Sequence, residues 1–428
     1  MFNIQSSIII SIIIYLFSNN WANISSFSKK TTLLIFCLKL FISIALFYYF
    51  TEYLNFGKKN DLYIYYNQSL KLYETLNGNS KAVLSILVGK NEEYQTVLNQ
   101  LSFWKRDFDY GIPNDNQTMI RIHLLFLVIL GKSILNHLLI FHIISFTTIL
   151  ILIKTLVNQT NTRKDILLIL LIIPSIAIWS NSTYKESIAI TIHSIIITMI
   201  LKINQKFELK KLIILLLICI VHLLIKPTYL IIILPFIICF LVYKRTNIKS
   251  WMNRIMILLI VFVTTITSLS INNSDIEKDE YKYGNKFNLF KMIEYKQDDF
   301  FYEAYERKAE TLLKLTPLKI KNFSFLTTMK EAILNVFFTP SFFYPSKLLG
   351  IPFLLENLLL YFFVFIGLRK NRFQNLNPID KFLFLSGITI CLFAGIITPV
   401  LGIVLKFKSI GYLYLIIGLI KINYQTQK

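Results

Sequence analysis

Eleven apolar runs succeed one another along the 428-residue chain: 5–18, 31–50, 134–157, 165–180, 187–203, 211–225, 228–243, 251–270, 350–368, 380–398 and 409–421. The hydrocarbon core of a bilayer is crossed by roughly 20 helical residues at about 1.5 Å each. A series of such runs excludes a water-soluble domain built around one core. Only 16% of residues are charged, against roughly 25% in soluble domains, and mean hydropathy is +0.57. That hydropathy also excludes intrinsic disorder. The expected fold is all-α, a polytopic transmembrane bundle of about ten or eleven spans, with residues 1–428 forming a single integral membrane domain.

The polar stretches between the runs set the orientation. Run 119–131 is also apolar, but runs of this length are more often interfacial than spanning. Basic clusters stand at Lys29-Lys30, Arg163-Lys164, Lys206-Lys210-Lys211, Lys244-Arg245-Lys249 and Arg369-Lys370-Arg372. All five fall on one side only if 119–131 does not cross, and that side is then cytoplasmic. The formal charge of 45 − 24 = +21 therefore reads as a topology signal, and nucleic acid is not an expected partner. The long polar segments 51–118 and 271–332 become two extracytoplasmic loops. The expected location is the inner (plasma) membrane, with the active face outward and membrane lipids as partners. No basic region precedes 5–18, so no cleavable signal peptide is expected. Cys37, Cys219, Cys239 and Cys391 all lie in apolar runs, which argues against a disulfide framework or zinc site. Gly131-Lys132-Ser133 lacks the upstream glycine of a phosphate-binding loop, so ATP-driven transport is disfavoured.

Candidate chemistry gathers in the outer segments. Asp61 follows the second run and precedes Tyr63 and Tyr65. A carboxylate walled by aromatic rings suits a general base for an acceptor hydroxyl, and the rings suit a sugar face. The alternative is a solvated loop aspartate. Asp107-Phe108-Asp109 offers a second carboxylate pair, and Asp109 is a second candidate acid or base. Paired carboxylates also hold divalent cations, so such an ion is a candidate cofactor, although no metal ligands are assigned. In 300–314, FFYEAYERKAETLLK, Phe301, Ala304, Tyr305 and Leu312 fall near one helical face. That pattern predicts an amphipathic helix on the bilayer or on the other loop.

The stretch Pro174–Glu186, PSIAIWSNSTYKE, ends one run at Trp179 and opens the next at Lys185-Glu186. Trp179 is expected at headgroup level, and Lys185 is suited to a lipid-linked phosphate as a point charge. Glu186 is a catalytic candidate, yet Thr183-x-x-Glu186 also reads as a capping box. Lys226-Pro227 and Lys406 place further lysines on the outer face, against the positive-inside bias. Lys185, Lys226 and Lys406 together would make a cationic ring for a phosphate headgroup. Glu356, about two turns inside run 350–368, must face the bundle or a wet cavity.

These elements resemble a family. Pro-Ser, Trp-Ser and Lys-Glu in PSIAIWSNSTYKE are similar to a signature in bacterial membrane proteins related to the GT-C glycosyltransferases. Asp61 with Tyr63 and Tyr65 resembles their acidic-aromatic motif in the first large outer loop. Arg121 in MIRIHLLF resembles the arginine that opens the following helix. HLLIKPTYL resembles a later Arg-Pro element, with Lys226 in place of arginine. NVFFTPSFFYP with LLENLLL resembles a Phe-Pro loop and a Glu-Asn helix. The resemblance covers roughly residues 55–420 and implies a glycosyltransferase using a polyprenyl-phosphate sugar on the extracytoplasmic face. It implies Asp61 and Glu186 as catalytic candidates, beside Asp109 from the carboxylate pair, and Tyr63, Tyr65, Trp179, Lys185, Lys226, Glu356 and Lys406 as substrate-binding candidates. The partners are then a lipid-linked sugar donor and a glycan or lipid acceptor of the cell envelope. Two alternatives stand beside it: a repeat-unit polymerase of the O-antigen or capsule type, and a non-catalytic glycolipid flippase. A flippase predicts charge strung through the mid-membrane interior, whereas most charge here is expected at the outer mouth.

Overall fold

The computed structural model describes residues 20–21, 23–24, 27–53, 60–105, 113–160, 164–246, 289–306, 309, 311–318, 324–340, 350–370 and 372–424. Runs 5–18 and 251–270 therefore lie outside the described residues. Helix α1 spans Lys29–Tyr48. It is followed by α2 (Asp61–Thr75), α3 (Ser80–Leu87), α4 (Asp115–Leu130) and α5 (Ile134–Thr160). Next come α6 (Pro174–Trp179), α7 (Lys185–Gln205), α8 (Leu209–Ile225) and α9 (Pro227–Thr246). The last group is α10 (Leu289–Glu306), α11 (Ser324–Phe337), α12 (Gly350–Arg369), α13 (Pro378–Ile397) and α14 (Leu401–Tyr424). Among the described residues, β pairing is limited to one bridge between Leu312 and Val400. The protein is an all-α polytopic bundle, as expected.

Seven of the described helices are long and apolar enough to cross a membrane: α1, α5, α7, α9, α12, α13 and α14. The expected count of about ten or eleven is reduced for identifiable reasons. Run 211–225 forms α8, which at 17 residues is just short of that length. Beyond Lys210 its outward side is apolar, with Leu216, Leu217 and Ile220 exposed. Run 165–180 is not one span. It breaks into the turns Lys164–Leu167 and Ile169–Ile172 and then α6. Ile173 adopts φ −60° and ψ 131°, because Pro174 disfavours the helical conformation in the residue before it and brings no N–H of its own. At the break, Ile173 and α6 pack into the bundle, α6 against α12 and α14, the setting in which irregular backbone is tolerated at membrane depth.

Run 119–131 behaves as predicted. It lies in α4, which is not of spanning length. α4 packs on α2 and α3 in an apolar cluster of its own with Leu72, Ile86, Leu98 and Trp104. Three asparagines start this layer, Asn60, Asn79 and Asn114, each accepting a first-turn N–H through its side chain. Arg121 ties the layer internally. Its Nε donates to Ile86 O at 3.0 Å and its guanidinium lies 5.1 Å from the Trp104 ring centre.

Helices α13 and α14 form the closest pair in the bundle. A Cβ at Gly411 would sit 2.8 Å from Gly387 O and 2.5 Å from the Cys391 sulfur. Glycine at both positions lets the two backbones touch, as small residues do in membrane helix pairs. At the far end, Lys421 and Asp380 close the pair with a buried 2.7 Å salt bridge.

Candidate catalytic site at one end of the bundle

Five chain segments converge where their helices begin or end. Asp61 is the first residue of α2, and Asp115 the first of α4. Lys185 and Glu186 open α7. Lys226 stands between α8 and α9, where Pro227 ends the first helix and starts the second. Lys406 lies in the second turn of α14.

Lys406 Nζ donates to Asp61 Oδ2 at 2.8 Å and forms an ion pair with Glu186 Oε2 at 3.2 Å. Glu186 also receives Lys226 Nζ on its other oxygen at 2.5 Å. Lys185 pairs with Asp115 at 2.8 Å and donates to Asn116 Oδ1 at 2.5 Å. Each ammonium rests on an aromatic face: Lys185 on Tyr65, Lys226 on Phe407 and Lys406 on Tyr184, at 5.0, 4.6 and 4.4 Å. Tyr184 in turn donates to the Asn60 side chain at 3.2 Å. Burial pushes the Tyr184 phenol up, so the ring stays neutral. Desolvation would raise the Asp61 carboxyl. The charge and hydrogen bond of Lys406, helped by Lys185 and Lys226, instead hold it below the usual carboxylate range. Half of the Asp61 side chain, 49%, is open, whereas the Glu186 side chain is wholly enclosed at 0%.

A cavity of about 330 Å³ opens beside Lys226. Asp115 and Asn116 form one wall, Tyr229 and Phe407 a second, and Phe393 and Ile397 at the end of α13 a third. α10 closes the remaining side.

The sequence therefore places Asp61, Tyr65, Lys185, Glu186, Lys226 and Lys406 in one site. Several expectations need correction. The lysines do not form a bare cationic ring, since Asp61, Asp115 and Glu186 match them one for one. Glu186 is not a cap. Tyr184 occupies the N-cap with no side-chain bond, and Thr183 Oγ1 donates to Leu62 O across the site. Trp179 is buried, with its ring 5.4 Å from that of Tyr184. Tyr63 points away. Asp61 and Tyr65 are four residues apart on one helical face, while Tyr63 packs on Tyr66 and Phe47. Asp109 lies outside the described residues. Asp115, Asn116 and Asn60 went unread; an Asn-Asp pair at a helix start carries a capping signal and nothing that names its lysine partner.

Glu356 belongs elsewhere. Its Oε2 accepts both the N–H and the hydroxyl of Ser175 at 2.8 Å. The neighbouring Asn357 accepts from Lys408 at 3.2 Å and from Tyr412 at 2.8 Å. Lys408 is fully buried and also donates to Val336 O. This inner cluster joins α6, α11, α12 and α14. Segment 300–314 also differs from expectation: α10 ends at Glu306, Ala304 is buried, Tyr305 is exposed and Leu312 lies beyond the helix. Among the described residues, no group of three or more His, Cys, Asp or Glu is placed to hold a metal.

No curated protein and no solved structure matches the chain. Residues 116–288 match the family model of the Alg9-like mannosyltransferases. The matched segment is about two-fifths of the chain and takes in Lys185, Glu186 and Lys226 but neither Asp61 nor Lys406. Over that segment the chain is similar to a GT-C family of membrane glycosyltransferases whose donors are sugars carried on polyprenyl phosphate.

Proposed function

We propose that the protein transfers a sugar from a polyprenyl-phosphate donor to a hydroxyl of a cell-envelope acceptor, on the extracytoplasmic face. The observation that carries this reading is Lys406 held between Asp61 and Glu186, with Lys185 and Lys226 beside it at a cavity mouth. A phosphate entering the mouth competes with the carboxylates for the ammonium groups. When it takes Lys406, Asp61 loses the charge that depresses its pKa and becomes a stronger base. The acceptor hydroxyl then gives its proton to Asp61. Its oxygen bonds the anomeric carbon as the bond to the phosphate oxygen breaks, and the electron pair leaves with the polyprenyl phosphate. The lysines stabilise the charge that develops there. Glu186 is a positioning residue, holding Lys226 and Lys406 at a fixed spacing.

The family match favours transfer over the polymerase and flippase readings. The outward orientation is supported by Lys206, Lys211, Arg369 and Lys370, which stand at or just past the opposite ends of α7, α8 and α12 from the site. The test uses protein purified into nanodiscs and given radiolabelled polyprenyl-phosphate mannose with a lipid-linked glycan acceptor. Label is expected in the acceptor without added nucleotide and not with Asp61→Asn. Transfer from nucleotide sugars alone, or undiminished transfer by Asp61→Asn, overturns the proposal.

A further inference from the structure

α10 lines the cavity with Lys296, Asp299, Phe300 and Glu303. These positions are i, i+3, i+4 and i+7, one face of a helix. Tyr302 and Tyr305 on the other side are exposed. The phase of the helix is fixed rather than incidental. Gln297, only 1% exposed, donates to Ile396 O at 2.5 Å and accepts the Leu318 N–H at 2.6 Å. Met292 and Tyr295 are buried in the cluster that contains Leu318, Phe393 and Ile397. α10 is thus docked on the end of α13 with a chosen face toward Lys226.

The chemistry of that face differs from the lysine side. Three carboxylates, Asp115, Asp299 and Glu303, share the lining with two ammonium groups, Lys226 and Lys296. Carboxylates accept hydrogen bonds from neutral hydroxyls and repel further carboxylates. Phe300 and Phe407, with ring centres 6.1 Å apart, supply apolar surface for the C–H face of a ring. A volume of about 330 Å³ falls at the lower end of the range for small-molecule sites.

We propose that this cavity is a sugar subsite with α10 as its selecting wall, admitting an uncharged polyhydroxylated ring and excluding a uronic acid. The proposal rests on the transferase reading for its role in catalysis but not for binding. The ring is that of the donor or of the acceptor, since both present the same hydroxyl chemistry.

The experiment uses the full chain in nanodiscs and saturation-transfer NMR with methyl α-mannopyranoside and methyl glucuronopyranoside. The neutral glycoside is expected to bind and the uronate to bind at least about tenfold more weakly, the size of one lost charge-assisted contact. Asp299→Asn with Glu303→Gln should weaken the neutral probe and narrow the gap between the two probes. Equal binding of both probes by the wild-type protein overturns the proposal, as does unchanged discrimination in the double variant. Steady-state transfer by the double variant separates the sources: a raised KM for the lipid-phosphate sugar alone assigns the donor ring, and a raised KM for the acceptor alone assigns the acceptor ring. Discriminating binding without any transfer would leave the subsite standing while removing the transferase reading. Transfer with wild-type KM values for both substrates in the double variant would do the reverse.

Discussion

Lys406 and Lys408 are two residues apart on α14 and serve different regions of the protein. Lys406 reaches the mouth, where it bonds one half-open carboxylate and one enclosed carboxylate beside a cavity. Lys408 turns into the bundle and is surrounded by Val336 O, Asn357 and Tyr412 with no exposure. A step of two residues rotates a side chain by roughly 200° about the helix axis, so two lysines of one segment face opposite surroundings. The same contrast separates the two glutamates of the recognisable motifs. Glu186 bridges two lysines at the mouth, and Glu356 clasps the backbone of Ser175 in the interior. Charge at the mouth is paired side chain to side chain, so a ligand can exchange with it. Charge inside is spent partly on backbone groups that have no other partner, which makes it architecture.

This contrast is open to attack by substitution. The largest effect is expected from Asp61→Asn. Removing a general base lowers kcat by about 10²–10⁴-fold, with expression and thermal stability close to wild type. Single-turnover transfer from labelled donor measures it, and a loss below tenfold would move Asp61 out of the mechanism. Glu186→Gln comes next. If the carboxylate positions two lysines, activity falls about tenfold to a hundredfold. A capping glutamate would be replaced by glutamine almost silently, so near-wild-type activity breaks the bridging role.

Glu356→Ala should show the reverse pattern. It strands the Ser175 N–H in the interior, costing about 1–3 kcal/mol of stability, while kcat per folded molecule stays near wild type. Thermal denaturation in detergent beside active-fraction kinetics reads both. Intact stability with lost kcat would transfer Glu356 to the mouth. The smallest expected effect is on pH profiles. Asp61 has a depressed pKa in the free protein, so its ion pair contributes fully above the ordinary value of about 3.9 and is lost as pH falls through the lower folded value. The acid limb of kcat/KM, which reports the free protein, should therefore lie below that of kcat, which reports the substrate complex in which phosphate has taken Lys406. Coincident limbs would mean that donor binding leaves the Asp61–Lys406 pair intact.

Much of this arrangement was legible in the residues. The parity of the basic clusters pointed to 119–131 as non-spanning, and α4, which holds it, is shorter than the spanning helices and packs on α2 and α3. Unusual outer-face lysines pointed to Lys185, Lys226 and Lys406, which do meet. What escaped was phase and partnership. Nothing near Lys406 or Lys408 says which faces the mouth, because that depends on where α14 starts and on Gly411 seating it against α13. Asp115 could not be matched to Lys185, 70 positions away, because no local rule links them. Run 165–180 was read as one span because Pro174 was not taken to break it.

The pairing of Asp61 with Lys406 spans 345 positions of chain. At a synthesis rate of about 5–20 residues per second, roughly 17–70 s separate the emergence of the two residues. For most of that interval Glu186 also awaits Lys406 as its second cation, and Ser175 awaits Glu356 from α12. A nascent chain thus holds Asp61 before its counter-charge exists, whereas Asp115 and Glu186 already have Lys185 and Lys226. Chains cut short before α14 would carry most of the spans and nearly every recognisable motif, yet Asp61 would lack its lysine. Completion of the last helix is therefore the event that gives Asp61 its partner and turns an inserted polypeptide into a finished site.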